Sequence, residues 1–174
     1  TILEALNLPA PAIQDGRSML SILTGGTQEG RDEVFVTYNY IQPGMQVFPM
    51  RAVHTKEWSF VFNPWSDGMK RRSLANGGPT ENQGGLTFAA MQQAARTDPE
   101  MAARVNYIQL RRRNELFNLT NDPYSANNLA ESPEYKTQLE KMKQRMIEEM
   151  RRSEDPLLDS LVKNKSYPVK WDGK

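Results

Sequence analysis

Cysteine is absent from this sequence of 174 residues, and His54 is its one histidine. These shortages exclude a disulfide framework, a thiolate metal site, a cysteine nucleophile and a zinc site built from several histidines. A charge excess of either sign is also lacking, because 22 lysines and arginines face 21 aspartates and glutamates and leave a formal net charge of +1. Net charge therefore provides no general attraction to nucleic acid or to an anionic membrane.

Long apolar runs are missing as well, since none approaches the roughly 18 residues of a membrane-spanning helix, and no signal peptide opens the chain. The apolar share of 38% is low for a chain that builds its own core. The first residues begin without methionine, inside a helical apolar pattern. We therefore expect this chain to be a piece of a longer protein and to form an interface with a larger structure.

The apolar pattern predicts short helices and strands. Residues 34–41 are rich in β-branched and aromatic side chains, which is typical of a strand, and their near-continuous apolar character predicts burial on both faces. Trp58, Phe60 and Phe62 recur at the period of two expected for a half-buried strand. The remaining elements are helices at 1–8, after 15–16, at 87–96 and at 99–113, strands starting at 50 and at 115, and a hairpin turn at 54–57.

A long amphipathic helix is predicted near the C-terminus. Ser132 and Pro133 form a favourable N-cap followed by proline at the first helical position. The helix then presents one apolar face, which predicts core packing for its methionines: Tyr135, Leu139, Met142, Met146 and Met150. A last docked turn is expected around 157–161.

Several polar groups are candidates for chemistry, but none forms a recognisable catalytic apparatus. His54 falls in the predicted hairpin turn, which favours a structural role over acid–base work. The basic clusters 70–72 and 111–113 could contact phosphate or sulfate, although the second is expected on a solvated helix face with one inward member. The stretch 118–128 lacks the carboxylate pattern of a calcium loop and is interpreted as turns.

The segment 38–51 is the most suggestive local feature. Amide and phenol groups at a strand end, a Pro-Gly loop and an arginine on the returning strand would supply the donors, flat surfaces and fixed cation of a sugar or oxyanion pocket. An ordinary strand–loop–strand with Arg51 at a sheet edge explains the same residues equally well. Both interpretations stay open from composition alone.

Three ordered segments resemble the C-terminal region of type I sulfatases. Residues 48–63, FPMRAVHTKEWSFVFN, resemble the family's "YPMRAVRTxxYKYIxN" strand pair. Residues 115–130, ELFNLTNDPYSANNLA, are similar to its "ELYDLxxDPxExxNLA" signature, and residues 1–20 look like its "PTILExxG…DGxSLxPLLxG" segment. The helical insertion between Asn63 and Glu115 looks most like the N-sulfoglucosamine sulfohydrolase, or sulfamidase, branch.

The resemblance implies an α+β fold within an alkaline-phosphatase-like α/β enzyme. The expected core is a small antiparallel sheet of about four strands, packed by the long C-terminal amphipathic helix. The implied organisation is the end of the catalytic α/β domain at 1–30, the sulfatase C-terminal subdomain at 31–152 with its insertion at 64–113, and a tail at 153–174.

The resemblance also implies a hydrolase acting on sulfate esters or N-sulfate of saccharides, with heparan-type glucosamine favoured and glycosaminoglycan degradation as its setting. The family's nucleophile is a formylglycine made from a C/S-x-P-x-R motif, and it works with a bound calcium ion. This chain has no such motif. We therefore expect no catalytic or metal-binding residue and no cofactor in it, and expect the chain to be inactive without an N-terminal catalytic domain. Secretion or a periplasmic location is implied by the family.

The implied substrate-binding residues lie at the end of the first strand and the start of the second. Matched by position, Arg51 and residues 38–42 approach the sugar, which selects Tyr38, Asn39, Tyr40, Gln42 and Arg51. Sulfamidases tend to have His and Glu in this loop, where this sequence has Ile41, Gln42 and Pro43, so the substrate stays open. We expect Arg51→Ala to weaken substrate binding more than folding.

Two other functions remain as alternatives. The chain could be a non-catalytic carbohydrate-binding or interaction module, or it could belong to a related phosphoesterase of the same superfamily. The sequence upstream of Thr1 would separate a sulfatase from a phosphoesterase.

Overall fold

A computed structural model describes residues 1–13, 16–27, 29–39, 48–66 and 85–165. The contacts divide the chain into two compact units, Thr1–Asp32 and Glu33–Lys174. The candidate residues Tyr40 and Gln42 and the basic cluster 70–72 lie outside the described residues.

The first unit contains two four-residue helices, α1 (Ile2–Ala5) and α2 (Leu20–Leu23). α1 is shorter than the helix predicted over 1–8. The Met19 backbone N–H donates to Thr1 Oγ1 at 2.8 Å and so joins the starts of the two helices. Gly25, at a φ of +88°, lies just after α2, because glycine enters the left-handed region without a steric cost.

The second unit is built on a four-stranded antiparallel sheet in the order β1-β2-β3-β4. This arrangement confirms the predicted small antiparallel sheet and its α+β class. Residues 56–57 make the β2–β3 turn, so the prediction that His54 lies in this turn was wrong: His54 belongs to β2 and faces Val34 and Ser59 across the ladders. The strands are β1 (Glu33–Tyr38), β2 (Met50–Thr55), β3 (Trp58–Phe62) and β4 (Asn114–Asn118).

Helices connect and cover the strands of the second unit. Between β3 and β4 lie α3 (Gly85–Ala94) and α4 (Pro99–Gln109), and Asp98 caps α4 through Oδ1, which accepts from the backbone N–H groups of Glu100 and Met101. A 3₁₀ turn (Pro133–Tyr135) precedes α5 (Lys136–Arg152), and α6 (Leu158–Val162) follows it. Ser132 is the N-cap residue of the 3₁₀ turn and Pro133 its first residue, as predicted, but the Ser132 side chain makes no capping hydrogen bond.

One face of the sheet packs against α5 and α6. The methionine stripe predicted for α5 is confirmed as core, and the docked turn around 157–161 is confirmed with it. Alternation along β2, β3 and β4 supplies the opposite wall of the core, since every second side chain points to the helices. The core residues are Val53, Phe60, Phe62, Leu116, Met142, Met146, Met150, Leu157 and Leu161.

β1 is the least buried strand of this sheet. The sequence predicts burial on both of its faces, and that expectation was wrong within the described residues. Val34 is 59% exposed, Val36 45% and Tyr38 44%, because β1 is an edge strand whose outer face is left open. An apolar run shows that a strand can be buried. It does not show which protein surface covers the strand.

The other edge of the sheet, at β4, is closed by the chain itself. The Asn128 carboxamide acts like a strand neighbour: Oδ1 accepts the Leu116 N–H at 2.9 Å, and Nδ2 donates to the Asn114 carbonyl at 3.3 Å. Leu129 N–H then donates to the Leu116 carbonyl at 2.8 Å. Asp122 accepts the Ala126 and Asn127 N–H groups in the preceding turn, which confirms the interpretation of this stretch as turn chemistry.

We expect Asn128→Ala to lower the free energy of unfolding by about 1–3 kcal/mol, because the part-buried Leu116 N–H loses its acceptor. Asn127→Ala is the matched control, since Asn127 is exposed and enters this turn through its backbone N–H. Urea unfolding of both variants checks the prediction. Equal losses would mean that the carboxamide of Asn128 is not what closes the edge.

Candidate functional site

The candidate site centres on Arg51, which lies in β2 and is only 5% exposed. Its Nε and Nη2 form a bidentate pair with Asp155 Oδ2 and Oδ1 at 2.5 and 3.2 Å. Its Nη1 donates to Asn39 Oδ1 at 2.8 Å, to the Met50 carbonyl at 2.9 Å and, at 3.4 Å, to the Tyr38 carbonyl. All three guanidinium nitrogens are therefore engaged within the chain.

This geometry makes Arg51 an anchor for the end of β1. Its charge is matched by Asp155, and its Nη1 holds both Tyr38 and Asn39 in place. Removing the guanidinium would leave the Asp155 carboxylate, whose side chain is 10% exposed, without its counter-ion. The structure therefore indicates that loss of Arg51 would destabilise the fold, which the sequence did not predict. Contact between Arg51 and a substrate stays a prediction.

The structure brings together three of the five predicted site residues. Arg51, Tyr38 and Asn39 meet at the β1 end, where the side chains of Tyr38 and Asn39 are exposed. Exposed phenol and amide groups are among the usual elements of a saccharide contact, and Arg51 reaches Tyr38 through its backbone carbonyl and Asn39 through its side chain. Tyr40 and Gln42 lie outside the described residues.

Asp155 is the residue that the sequence analysis missed. It follows α5 and lies 104 positions from Arg51, in the segment interpreted as a tail. Its Oδ1 also accepts the Leu157 N–H at 2.8 Å, so one carboxylate orients Arg51 and starts the last helical turn. No periodicity or motif links positions so far apart, because the pairing exists only after β2 and α5 have packed.

A second buried polar cluster lies on the sheet face away from α5. Glu115 in β4 is fully buried, and Arg111 Nη2 donates to its Oε2 at 2.6 Å. Burial raises the pKa of the Glu115 carboxyl, and the Arg111 guanidinium partly opposes that rise. Burial, and after it the Glu115 charge, raise the pKa of Tyr107 to about 12.

The basic cluster 111–113 has structural partners and lies beyond the end of α4, so its expected place on a helix face was wrong. Two of its members point inward, not one. Arg111 pairs with Glu115, while Arg113 donates to the carbonyls of Pro64 and Ser160 at 2.7 and 2.8 Å. Arg112 has a more distant ionic contact, since its Nε lies 3.8 Å from Oε1 of the exposed Glu131.

Glu115→Gln should change how stability depends on pH. The folded-state pKa of Glu115 lies above its ordinary value of 4.5, so the wild type loses stability as pH rises from about that value through the raised pKa. The glutamine variant cannot titrate here and should lack this loss. Unfolding free energies measured from acid to neutral pH would check it, and parallel curves for the two proteins would contradict it.

His54 and candidate metal ligands are the remaining groups to place in the described part of the chain. Burial lowers the pKa of His54, because desolvation disfavours its charged form. No cluster of three or more histidine, aspartate or glutamate side chains there could hold a metal ion. No helix in the same residues is long and apolar enough to cross a membrane.

Comparison with known proteins gives this site its context. No family model matches the chain. Over 163 residues, however, it is 26% identical to the ulvan-active sulfatase of Formosa agariphila, and the alignment covers 93% of this chain. The chain is homologous to sulfatases. It spans only 29% of that sulfatase's length.

Solved structures show the fold of this sulfatase homologue. A 2-O GAG sulfatase matches with a TM-score of 0.54 and 17% identity, over 89% of this chain and 24% of its own. A protein solved in complex with its substrate D-glucosamine-2-N,6-O-disulfate matches with a TM-score of 0.55 and 14% identity, over 91% of this chain and 24% of its own. The four-stranded sheet with its helices corresponds to the C-terminal part of sulfatases.

Proposed function

We propose that this chain is the C-terminal portion of a sulfatase that hydrolyses sulfate groups on saccharides. The observation that carries the proposal is the sulfatase homology, which covers 93% of this chain but only 29% of the relative. We call this proposed sulfatase the longer protein. The relatives imply for it an alkaline-phosphatase-like α/β architecture, and the family's usual location makes it secreted or periplasmic.

For the substrate, we propose a sulfated glucosamine of the heparan type. The support comes from the structural neighbours, one a 2-O GAG sulfatase and one bound to a glucosamine carrying N- and O-sulfate. The helices α3 and α4 between β3 and β4 lie where the insertion of the sulfamidase branch is expected. We therefore include N-sulfate, as well as sulfate esters, among the groups to be tested.

The role proposed for the site residues is to complete one side of the saccharide pocket. Tyr38 and Asn39 would face the sugar together with Tyr40 and Gln42, which follow them in sequence. Arg51 would position Tyr38 and Asn39 and orient a sulfate or carboxylate on the sugar. The support is the exposure of Tyr38 and Asn39 and the hydrogen bonds that tie them to Arg51. Tyr38 is the residue whose loss should raise KM with the least damage to folding, since it is 44% exposed.

The chemical step is proposed to lie outside this chain. The formylglycine nucleophile and the calcium ion of the family belong to the proposed N-terminal catalytic domain, which is the partner of this chain together with the saccharide. We expect the 174-residue chain alone to show no sulfatase turnover, because it has no cysteine and no C/S-x-P-x-R motif.

The test is to sequence the gene upstream of Thr1 and assay the longer protein. A C/S-x-P-x-R motif and release of sulfate from N-, 2-O- or 6-O-sulfated glucosamine saccharides are expected, with ulvan oligosaccharides and a phosphate monoester as comparison substrates. Cleavage of the phosphate monoester alone would point to the phosphoesterase. Tight binding of heparin oligosaccharides by the 174-residue chain alone, measured by titration calorimetry, would favour the binding module.

A further inference from the structure

The corner that follows α5 holds Asp155 in a fixed place. Glu154 has a φ of +52°, its N–H donates to the Arg151 carbonyl at 3.3 Å, and the Asp155 N–H donates to the Met150 carbonyl at 2.8 Å. These are the two hydrogen bonds of a Schellman ending, in which the chain turns through one left-handed residue after the helix. Asp155 Oδ1 also accepts the Leu157 N–H at 2.8 Å. The backbone of Asp155 and one of its carboxylate oxygens are therefore held by its own neighbours in the chain.

The carboxylate of Asp155 sets the direction of the Arg51 guanidinium. The residue at this position of a Schellman ending often makes an apolar contact with the helix. Asp155 instead binds Nε and Nη2 of Arg51. Because a guanidinium is planar and rigid, fixing Nε and Nη2 also fixes the direction of Nη1. Asp155 thereby directs Nη1 toward the end of β1, where it reaches Asn39.

The contact with Nη1 decides which end of the Asn39 amide faces Arg51. Nη1 donates to Asn39 Oδ1 at 2.8 Å, and only the oxygen of an amide can accept from a guanidinium. Nδ2 then lies on the other side of the amide with its two N–H donors. It has no acceptor among the residues that the structure describes. The network therefore makes Asn39 a donor toward a ligand.

Arg51 itself is poorly suited to contact an anion. Its charge is matched by Asp155, and all three of its nitrogens donate within the chain. Sulfate and carboxylate oxygens bind N–H donors, and such charge-assisted hydrogen bonds are stronger than neutral ones. Both N–H groups of the Asn39 amide are left for this purpose.

We propose that Asn39 donates a hydrogen bond to a sulfate or carboxylate oxygen of the saccharide, and that Asp155 is the positioning residue that holds Asn39 in this orientation through Arg51. This proposal rests on the proposed function and refines it. Arg51 then orients the anion through Asn39 and not by its own charge. The specificity of this end of the site is for a hydrogen-bond acceptor.

Asn39→Asp tests which end of the amide faces Arg51. A carboxylate oxygen still accepts from Nη1, and a charged acceptor strengthens that bond. The free energy of unfolding of the 174-residue chain should therefore equal or exceed the wild-type value. The same substitution replaces the two N–H donors by an acceptor oxygen, so in the longer protein KM for sulfated saccharides should rise at least about tenfold.

Two further variants accompany this one. Asn39→Ala removes the donors without adding charge, and it should raise KM less than Asn39→Asp does, since a carboxylate also repels an anion. Asn106→Asp is the control for added charge, because Asn106 is exposed on α4, which leads into β4 at the opposite edge of the sheet from β1. Its KM should stay within about twofold of the wild type, because solvent and salt screen a charge away from the site.

Asp155→Asn tests the positioning role. Asparagine has the same shape but no charge, and it offers one acceptor oxygen instead of two, so Nη1 loses its fixed direction. KM of the longer protein, measured well below the melting temperature of the variant, should rise. It should not rise further when Asp155→Asn is combined with Asn39→Ala. A residue that only stabilised the fold would lower the melting temperature without this coupling between the two positions.

Three results would overturn the proposal. A lower unfolding free energy in Asn39→Asp would show that Arg51 does not hold the amide by its oxygen. An unchanged KM in Asn39→Asp, or a rise smaller than that in Asn39→Ala, would exclude an anion as the partner of Asn39. Independent, multiplying rises of KM in Asp155→Asn and Asn39→Ala would show that Asp155 does not act through Asn39.

Failure of the proposed function would be recognised separately. A wild-type longer protein that releases no sulfate from any saccharide would refute the proposed function. The unfolding free energy of Asn39→Asp in the 174-residue chain would still decide whether Arg51 holds the amide by its oxygen. An active wild type with one of the three results above refutes the roles of Asn39 and Asp155 alone.

Discussion

Arg51→Met should lower the free energy of unfolding by about 3–5 kcal/mol, because it leaves a buried carboxylate without its partner. Arg51 and Asp155 side chains are 6% and 10% exposed, and the guanidinium contacts both carboxylate oxygens. Methionine keeps much of the aliphatic volume of arginine, so the loss reports on the ion pair and its hydrogen bonds. Denaturant unfolding at neutral pH measures it.

Arg145→Met is the matched control for this result. Arg145 also pairs with a carboxylate distant in sequence, Glu33, at the same 2.5 Å, but both side chains are 36% exposed. Solvent weakens such a pair, so the expected loss is about 0–1 kcal/mol. Similar losses at positions 51 and 145 would contradict the view that burial of the pair decides its importance.

The stability loss at Arg51 bears on how its role in binding must be measured. The sequence alone led to the expectation that Arg51→Ala affects binding more than folding, whereas the buried pair adds a substantial folding cost. Kinetics of the longer protein should therefore be taken well below the melting temperature of the variant. A raised KM under those conditions supports the substrate role, and an unchanged KM with a lower melting temperature leaves Arg51 a purely structural anchor.

Met146→Ala should lower the free energy of unfolding by about 2–5 kcal/mol, because it opens a cavity between α5 and the sheet. Met146 is 1% exposed and belongs to the core with Phe60 and Leu116. The surrounding side chains belong to both α5 and the strands, so little collapse can fill the space. Thermal or urea unfolding gives the value.

Met19→Ala is the corresponding control, since Met19 is 48% exposed and forms no part of this core. Its change should stay within about 0.5 kcal/mol of the wild type. A large loss at position 19 with a small loss at position 146 would mean that the stripe on α5 is not the centre of the fold.

The local sequence pattern was enough to predict a helix or strand wherever the residues of that element determine its structure. The four strands and α5 were found because alternation in β3 and a helical stripe on α5 are properties of neighbouring residues. Caps and turn positions were less well determined. Ser132 occupies the cap position without making the capping hydrogen bond, and His54 lies in a strand instead of a turn. The reason is that residues several positions away shift where an element ends.

The sequence by itself determined that cysteine chemistry is absent, and it predicted the α+β fold and a resemblance of three ordered segments to sulfatases. Only the tertiary structure decided that Arg51 is held by Asp155, that Glu115 is buried beside Arg111, and that β1 turns an apolar face outward. The physical reason is that burial and charge pairing depend on how two elements pack against each other. A residue's own neighbours in sequence fix which element it joins, and packing alone fixes what it touches.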